Sequence, residues 1–267
     1  MVIQMDDKEV GRYWDENAEN WIKLSRLGYD RCRDIINSPA FFKMLPEIKN
    51  LKGLDIGCGE GHNTRIAAKK GAKLTAIDIS EVFITAAKES EKQESLGIDY
   101  QVASAVGLPF PDGFFDFTIA TMSLMDISDS EKAISEVFRV LKPNGFFQFS
   151  ITHPCFAISY SRWVTNDDGK RIGLIVSDYF KKSDSEIEEW IFGAAPKDMI
   201  DKMRKFRIPR FDRILSDWLN LLINQGFILE EFCEPYPDDD ILKKFPEETD
   251  SAIVPFFLII RCRKPNK

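Results

Sequence analysis

The sequence contains few of the residues that build metal centres and disulfide frameworks. Its 267 residues include 2 histidines and 5 cysteines. The number of cysteines is odd, and no two of them stand in a C-x-x-C pair. We therefore expect reduced thiols, no disulfide framework and no bound metal.

Long apolar runs and an excess of positive charge are also missing. The longest strongly apolar run, near Val254 to Ile260, is far too short to span a bilayer. The first twelve residues are polar and acidic, which is not the pattern of a signal peptide. The net charge is -7, and the one basic stretch, Lys202 to Arg210, is local. These features predict a cytoplasmic protein that binds neither membrane nor nucleic acid.

Short apolar runs alternate with longer amphipathic ones through the first half of the chain. The predicted strands cover residues 51–56, 73–78, 98–102, 115–121 and 146–152. Such alternation is typical of βαβ units and of a mostly parallel sheet with helices on both faces. Two more predicted strands, 227–232 and 254–263, are joined by a short connection in which we expect no helix. The predicted fold is α/β, with a seven-stranded, Rossmann-like sheet whose last strand is antiparallel.

The same pattern divides the chain into four segments of one structural domain. Residues 1–50 are predicted to be helical and to cap the site, and residues 51–152 to bind a cofactor. Residues 153–210 are rich in aromatic and charged side chains without clear periodicity, and we expect an insertion that covers the substrate. Residues 211–267 complete the sheet with one helix and the last two strands.

The strongest local signal is the segment LDIGCGEGH, which runs from Leu54 to His62. Its three glycines follow a predicted strand and open a helix: Gly57, Gly59 and Gly61. A ligand can approach the backbone closely there and meet the free N–H groups of the helix. A dinucleotide motif, G-x-G-x-x-G, would need a glycine at His62. The spacing found here, with Asp55 just before it, favours a cofactor that carries an ammonium and a sulfonium over a pyrophosphate.

A second acidic residue, Asp78, ends the second predicted strand in the segment AIDIS. A carboxylate at this position can accept hydrogen bonds from both hydroxyls of an adenosine ribose. Asp78 alone could equally be a turn residue or a charge at a helix start. The glycine loop beside it favours ribose binding.

Together these segments resemble the class I, Rossmann-like S-adenosylmethionine-dependent methyltransferases. LDIGCGEG is similar to the first motif of that superfamily and AIDIS to the second, while LPFPDGFFDFTIA and VFRVLKPNGFFQFS are similar to the regions that follow. The resemblance covers residues 13–152 and is greatest to the small-molecule enzymes of ubiquinone and menaquinone biosynthesis. It implies S-adenosyl-L-methionine as cofactor, S-adenosyl-L-homocysteine as product and a small-molecule methyl acceptor.

The resemblance also implies which residues hold the cofactor. Asp55 and Gly57 would meet its methionine end, and Asp78 would hold the ribose. The family often has an acidic residue after the third strand for the adenine amine, but Ser104 and Ala105 stand there in this chain. The complete implied set is Asp55, Gly57, Cys58, Gly59, Asp78, Ile79, Ser104, Ala105, Thr121 and Met122.

The sequence offers few candidates for catalysis or for covering the site. Methyl transfer requires in-line alignment and exclusion of water, and a base only when the acceptor must lose a proton. His153 follows the fifth predicted strand, so it is either that base or a loop histidine bonded to the backbone. Asp126 has a similar position and could simply be a turn residue. Tyr13 and Trp14 either cover the cofactor or pack a helix.

Three other functions remain open on the sequence alone. The first is a nicotinamide-dependent oxidoreductase. It is disfavoured because His62 stands where the dinucleotide motif needs its third glycine. The second is an S-adenosylmethionine-binding sensor or scaffold without catalysis. The third is a methyltransferase for protein or nucleic acid, against which the net negative charge counts.

Overall fold

The computed structural model describes residues 5–157, 160–181 and 184–266. Parts of the predicted capping segment and insertion, residues 1–4, 158–159 and 182–183, and the last residue, 267, lie outside these ranges. The α-helices are α1 Asp7–Arg26, α2 Ser38–Met44, α3 His62–Lys69, α4 Glu81–Glu94, α5 Ser130–Val140, α6 Lys197–Ile200, α7 Leu215–Gln225 and α8 Asp239–Lys244.

Eleven strands are formed by the described residues. Their bounds are β1 Lys52–Ile56, β2 Lys73–Asp78, β3 Asp99–Val102, β4 Phe115–Thr121, β5 Leu141–Thr152, β6 Ser161–Thr165, β7 Arg171–Val176, β8 Asp184–Trp190, β9 Phe206–Phe211, β10 Ile228–Cys233 and β11 Phe257–Arg263. Seven of them form the central sheet, in the order β10-β11-β5-β4-β1-β2-β3.

The central sheet is parallel except at β11. β1 to β5 pair in parallel, whereas β11 runs antiparallel to both of its neighbours, β5 and β10. The predicted fold, a mostly parallel seven-stranded sheet with an antiparallel last strand, is confirmed. Its order reverses beside β1, the point at which open α/β sheets bind ligands at the carboxyl ends of their strands.

Two hydrophobic cores lie against the two faces of the sheet. On one face, Phe147 and Phe149 of β5 pack in a cluster with Trp218 of α7. On the other face, Phe146 of β5 packs in a cluster with Phe41 of α2. Successive β5 side chains point to opposite faces, which explains why a strand buried on both sides is mostly apolar without strict alternation.

The structure corrects the prediction for the connection between the last two strands. We expected no helix there, but α8 and a 3-10 helix at Pro246–Ala252 lie between β10 and β11. The side chain of Asp238 accepts a hydrogen bond from the Ile241 backbone N–H at 2.8 Å and so caps α8. The helix has only 6 residues, none of them buried, so it carries no apolar periodicity from which it could be recognised.

The segment 153–210 contains two antiparallel hairpins, β6–β7 and β8–β9. Phe206 and Ile208 of β9 are buried, and they lie two residues apart on one face of the strand. Strand β9 of the second hairpin packs on α1 and on the 3-10 helix Leu124–Asp126. In the part of the chain that the structure describes, no helix is long and apolar enough to cross a membrane.

Candidate active site

A cleft of about 870 Å³ opens at the carboxyl ends of β1, β2 and β4, between the sheet and the layer formed by α1 and the β8–β9 hairpin. Nine of the ten residues predicted to bind the cofactor line it, and Asp55 is the exception. The nine are Gly57, Cys58, Gly59, Asp78, Ile79, Ser104, Ala105, Thr121 and Met122. The fold therefore brings together residues that are up to 65 positions apart in the sequence (122 − 57).

Glycine is needed at positions 57 and 59 of the loop after β1 for different structural reasons. Gly57 has a φ of 67°, and a Cβ there would lie 2.3 Å from the Cβ of Ser123, so the loop packs tightly on the end of β4. Gly59 has a φ of 55°, but no described atom lies within 4 Å of the position that its Cβ would take. The space beside Gly59 is the cleft itself, and this is where a ligand can reach the backbone.

Asp78 connects this loop to the end of β2. Its Oδ2 accepts a hydrogen bond from the Gly59 backbone N–H at 2.8 Å, and its Oδ1 accepts one from the Ser80 backbone N–H at 2.9 Å. Burial raises the pKa of Asp78 to about 6, although both backbone hydrogen bonds oppose this shift. Each carboxylate oxygen keeps a further lone pair for a donor in the cleft.

Asp55, which is predicted to contact the cofactor, is not among the residues that line the cleft. Its side chain is 0% exposed, and its Oδ2 accepts a hydrogen bond from the Thr64 hydroxyl at 2.6 Å. Thr64 belongs to α3, so the carboxylate holds that helix against β1 from beneath the glycine loop. Burial raises the pKa of Asp55 to about 7.

Asp7, which the sequence analysis did not single out, occupies the place beside the missing acidic residue after β3. Its carboxylate accepts hydrogen bonds from the hydroxyls of Ser104 and, at 3.0 Å, of Ser128. Asp7 also lines the cleft. An acidic residue in the first turn of a helix is ordinary, and 97 residues separate it from Ser104, so no local pattern indicated this role.

The opposite wall of the cleft is aromatic. Trp21 of α1 packs edge-on against Trp190 and Phe192 of the hairpin, with ring centroids 5.4 Å and 4.9 Å apart. Trp14 lines the cleft, but Tyr13 does not. The Arg207 guanidinium instead lies over the ring of Tyr13, with its Cζ 5.6 Å from the ring centroid.

His153 does not line the cleft, and its side chain is only 2% exposed. Its Nδ1 accepts a hydrogen bond from the Cys155 backbone N–H at 3.1 Å. The proton of the neutral ring is therefore on Nε2, which lies 2.8 Å from the Glu234 carboxylate and donates to it. Because both nitrogens already have partners, His153 is not retained as a candidate base; its geometry is that of a histidine that braces a loop.

Asp126 lies in the cleft at the end of the 3-10 helix Leu124–Asp126, which follows β4. Its side chain is 8% exposed, and burial raises its pKa to about 7. Arg210 of β9 opposes that shift, but its guanidinium is paired with Glu188 at 3.3 Å and Asp212 at 3.1 Å. Asp126 was a secondary candidate in the sequence, and its surroundings make it the stronger one.

Three further basic side chains line the cleft, those of Arg31, Arg33 and His62. Arg33 pairs with Asp30 at 3.2 Å, while Nε2 of His62 lies 3.7 Å from Asp34. Burial lowers the pKa of His62, so its ring is neutral at pH 7.

Comparison with known proteins gives a consistent family. Residues 54–149 match the family described as methyltransferase domain. The chain is 31% identical to the ubiquinone/menaquinone biosynthesis C-methyltransferase UbiE of Hydrogenovibrio crunogenus, over 47% of this chain and 53% of the relative. It is 30% identical to the UbiE of Rickettsia bellii, over 56% of this chain and 67% of the relative. The matched region thus spans between about half and two thirds of these curated relatives.

A solved structure extends the similarity over most of the chain. The S-adenosylmethionine-dependent methyltransferase of Mesorhizobium loti superposes with a TM-score of 0.67 at 28% identity. The superposition covers 84% of this chain and 96% of that chain.

Proposed function

Since this chain belongs to the class I S-adenosylmethionine-dependent methyltransferases, we propose that it transfers a methyl group to a small molecule held beneath the β8–β9 hairpin. Membership confirms the family and the cofactor predicted from the sequence. The observation that supports the proposal best is that one cleft joins the Gly59 and Asp78 cradle to an aromatic cover.

The residues of the cradle fit the cofactor. Asp78 would accept hydrogen bonds from the ribose hydroxyls, and Gly59 would allow its backbone to approach the ligand. Ile79 would pack against the adenine, while Thr121 and Met122 would lie near the methyl donor. Cys58, Gly57 and Ala105 would complete the walls. When bound, S-adenosylmethionine supplies a methyl group on a sulfonium, which is a good leaving group.

Ser104 and Ala105 have no carboxylate that could accept a hydrogen bond from the adenine amine. We assign this contact to Asp7. The Ser104 and Ser128 hydroxyls hold the Asp7 carboxylate at the cleft. Each of its oxygens retains a lone pair that an amine N–H could use. This arrangement would bring α1 into the cofactor site and would couple adenine binding to the position of that helix.

The Asp7→Asn variant should bind S-adenosylhomocysteine about tenfold more weakly, because it loses one charge-assisted hydrogen bond worth roughly 1.5–3 kcal/mol. Isothermal titration should compare this ligand with an analogue whose adenine amine is replaced by hydrogen. We expect the wild-type protein to prefer the amine and the variant to bind both ligands equally. A variant that still prefers the amine as strongly as the wild type would remove Asp7 from the adenine site.

The proposed transfer needs little from the protein beyond alignment and exclusion of water. The aromatic wall formed by Trp14, Trp21 and Trp190 supports a partly apolar acceptor and keeps water from the methyl group. The free cysteines in the described chain are consistent with a reducing compartment, and we propose that the protein works in the cytoplasm.

A labelling experiment tests the proposed function. The protein is incubated with S-adenosylmethionine labelled in its methyl group and either a cell extract filtered to remove macromolecules or the retained protein and nucleic-acid fraction. We expect label to transfer to compounds in the filtrate. Transfer to the macromolecular fraction alone would favour a methyltransferase that acts on protein or nucleic acid. No transfer despite cofactor binding would favour a non-catalytic S-adenosylmethionine-binding sensor or scaffold. Either result would contradict the proposal.

A further inference from the structure

We propose that the methyl acceptor is an amine with a flat apolar body, and that Asp126 binds its ammonium form and removes the proton. This inference rests on the proposed function. It concerns the part of the cleft lined by the carboxylates of Asp126 and Glu188, the paired guanidinium of Arg210 and the ring of Trp190.

Asp126 is a buried carboxyl that accepts no hydrogen bond from the part of the chain that the structure describes. Its side chain is 92% buried (100 − 8). Among residues 5–157, 160–181 and 186–266, none donates a hydrogen bond to its carboxylate or forms a direct ion pair with it. Leaving a buried polar group unpaired costs about 1–3 kcal/mol and more for a charged group, so such a group in a cleft calls for a ligand that supplies the donor.

The charges around Asp126 favour a cation. Three carboxylates, those of Asp126, Glu188 and Asp212, surround the single guanidinium of Arg210. Arg210 is already paired with Glu188 and Asp212, and it also donates to the Ala157 backbone carbonyl at 3.4 Å. Its charge is therefore shared, and a negative excess remains when Asp126 is ionised. An ammonium would reduce that excess, whereas a carboxylate or phenolate would add to it.

The walls near this carboxylate suit a flat apolar body. Glu188 and Trp190 lie two residues apart on β8, so their side chains share the face that lines the cleft. Ile208 and Arg210 share the corresponding face of β9. The aromatic faces would also attract a cation directly. The hairpin thus supplies both the apolar wall and the charges that surround Asp126.

Asp126 is also close to the cofactor cradle. The Ser123 hydroxyl donates to the Ile56 backbone carbonyl at 2.7 Å, and Ser123 is the residue that packs on Gly57. The Asp126 backbone N–H donates to the Ser123 carbonyl at 3.0 Å, which closes the 3-10 turn. Asp126 therefore stands one turn from the glycine loop, within the same cleft.

Methyl transfer to an ammonium substrate requires two steps, proton removal and displacement at carbon. An ammonium has no lone pair for attack, so it must first give a proton to the Asp126 carboxylate, which becomes a neutral acid. The free nitrogen lone pair then forms a bond to the methyl carbon as the carbon–sulfur bond breaks, and that bond's electron pair stays on sulfur. The products are the methylated ammonium and the neutral thioether S-adenosylhomocysteine, and the proton on Asp126 later leaves to solvent.

The pH dependence follows from the charges facing Asp126. Glu188 of β8 and Asp212 after β9 raise its pKa, and Arg210 of β9 lowers it, but burial has the largest effect and leaves the pKa at about 7. Ammonium binding should therefore strengthen as pH rises through about 7, because only the ionised carboxylate attracts the cation. An acceptor that bound as an anion would show the opposite trend.

The test measures the binding of three probes to the complex with S-adenosylhomocysteine: benzylamine, benzyl alcohol and benzoate. For the wild type at pH 8, we expect benzylamine to bind at least about tenfold more tightly than benzyl alcohol, and benzoate to bind most weakly. That preference should decline at pH 6 and be absent in Asp126→Asn. Equal binding of amine and alcohol, or tighter binding of benzoate, would overturn the inference.

Asp129→Asn is the matched control. It removes the same charge three residues away, and asparagine preserves the helix cap that Asp129 forms by accepting from the Lys132 backbone N–H at 2.9 Å. This variant should keep the preference for benzylamine. If Asp129→Asn also lost that preference, the net charge of the protein would explain it and a specific role of Asp126 would be contradicted. The titration with S-adenosylhomocysteine comes first: its failure contradicts the proposed function, whereas success followed by no amine preference contradicts this inference alone.

Discussion

Replacing Asp78 with alanine is expected to weaken the binding of S-adenosylhomocysteine at least about a hundredfold. The variant would lose two hydrogen bonds from the ribose hydroxyls to a buried carboxylate, each worth roughly 1.5–3 kcal/mol. It would also release the Gly59 backbone N–H, which now donates to Asp78 at 2.8 Å, and so loosen the loop at the cofactor. Isothermal titration of both proteins measures the difference.

Asp116→Ala provides the control for Asp78→Ala. Asp116 also accepts a backbone hydrogen bond, from Lys52 at 2.8 Å, and pairs with Lys142 at 2.6 Å, but it lies near the start of β4, away from the cleft. This variant should lose thermal stability and retain its affinity for the ligand. Unchanged affinity in a folded Asp78→Ala protein would mean that another residue binds the ribose.

The pH dependence of wild-type binding gives the same claim a second test. The pKa of Asp78 is about 6 because the carboxyl is buried. Only the ionised group can accept from both hydroxyls, so affinity should fall as pH decreases through about 6, and Asp78→Ala should lack that decrease.

Replacing Gly59 with alanine should weaken cofactor binding about tenfold to a hundredfold. The unfolding free energy of the free protein should fall by little more than it does when a comparable glycine outside the cleft is replaced. A methyl group there would enter the empty space of the cleft and keep the ligand from the backbone, an overpacking cost of about 1–3 kcal/mol.

Gly97→Ala is the matched variant for Gly59→Ala. Gly97 has a φ of 77°, against 55° at Gly59, and no described atom lies within 4 Å of its Cβ position either. Both variants should lose about 1–2 kcal/mol of unfolding free energy from the left-handed backbone, but Gly97 is not among the residues that line the cleft. Equal ligand affinity in the two variants would show that the cofactor does not approach the backbone at Gly59.

The sheet and the glycine loop could be predicted because their signals are local. Strands such as β5 are buried on both faces, so their sequences are mostly apolar. Gly57 and Gly59 both have positive φ, which glycine adopts without strain, so their spacing records the shape of the loop directly. Asp78 could be placed because the carboxyl end of a strand is fixed by the strand itself.

Side-chain direction and contacts between distant segments could not be predicted. Asp55 lies in β1 and His153 directly follows β5, but the sequence does not show that one side chain turns to Thr64 and the other to Glu234. The contact between Asp7 and Ser104 joins the first helix to the end of β3. Such pairs arise only when the layers pack, and no periodicity along the chain encodes them.

The most direct test of the cofactor assignment is a titration of the purified wild-type protein with S-adenosylhomocysteine and, separately, with NAD. We expect S-adenosylhomocysteine to bind with a dissociation constant in the micromolar range, on the order of -8 kcal/mol, and NAD to bind far more weakly. Tight binding of NAD together with no binding of S-adenosylhomocysteine or S-adenosylmethionine would contradict it.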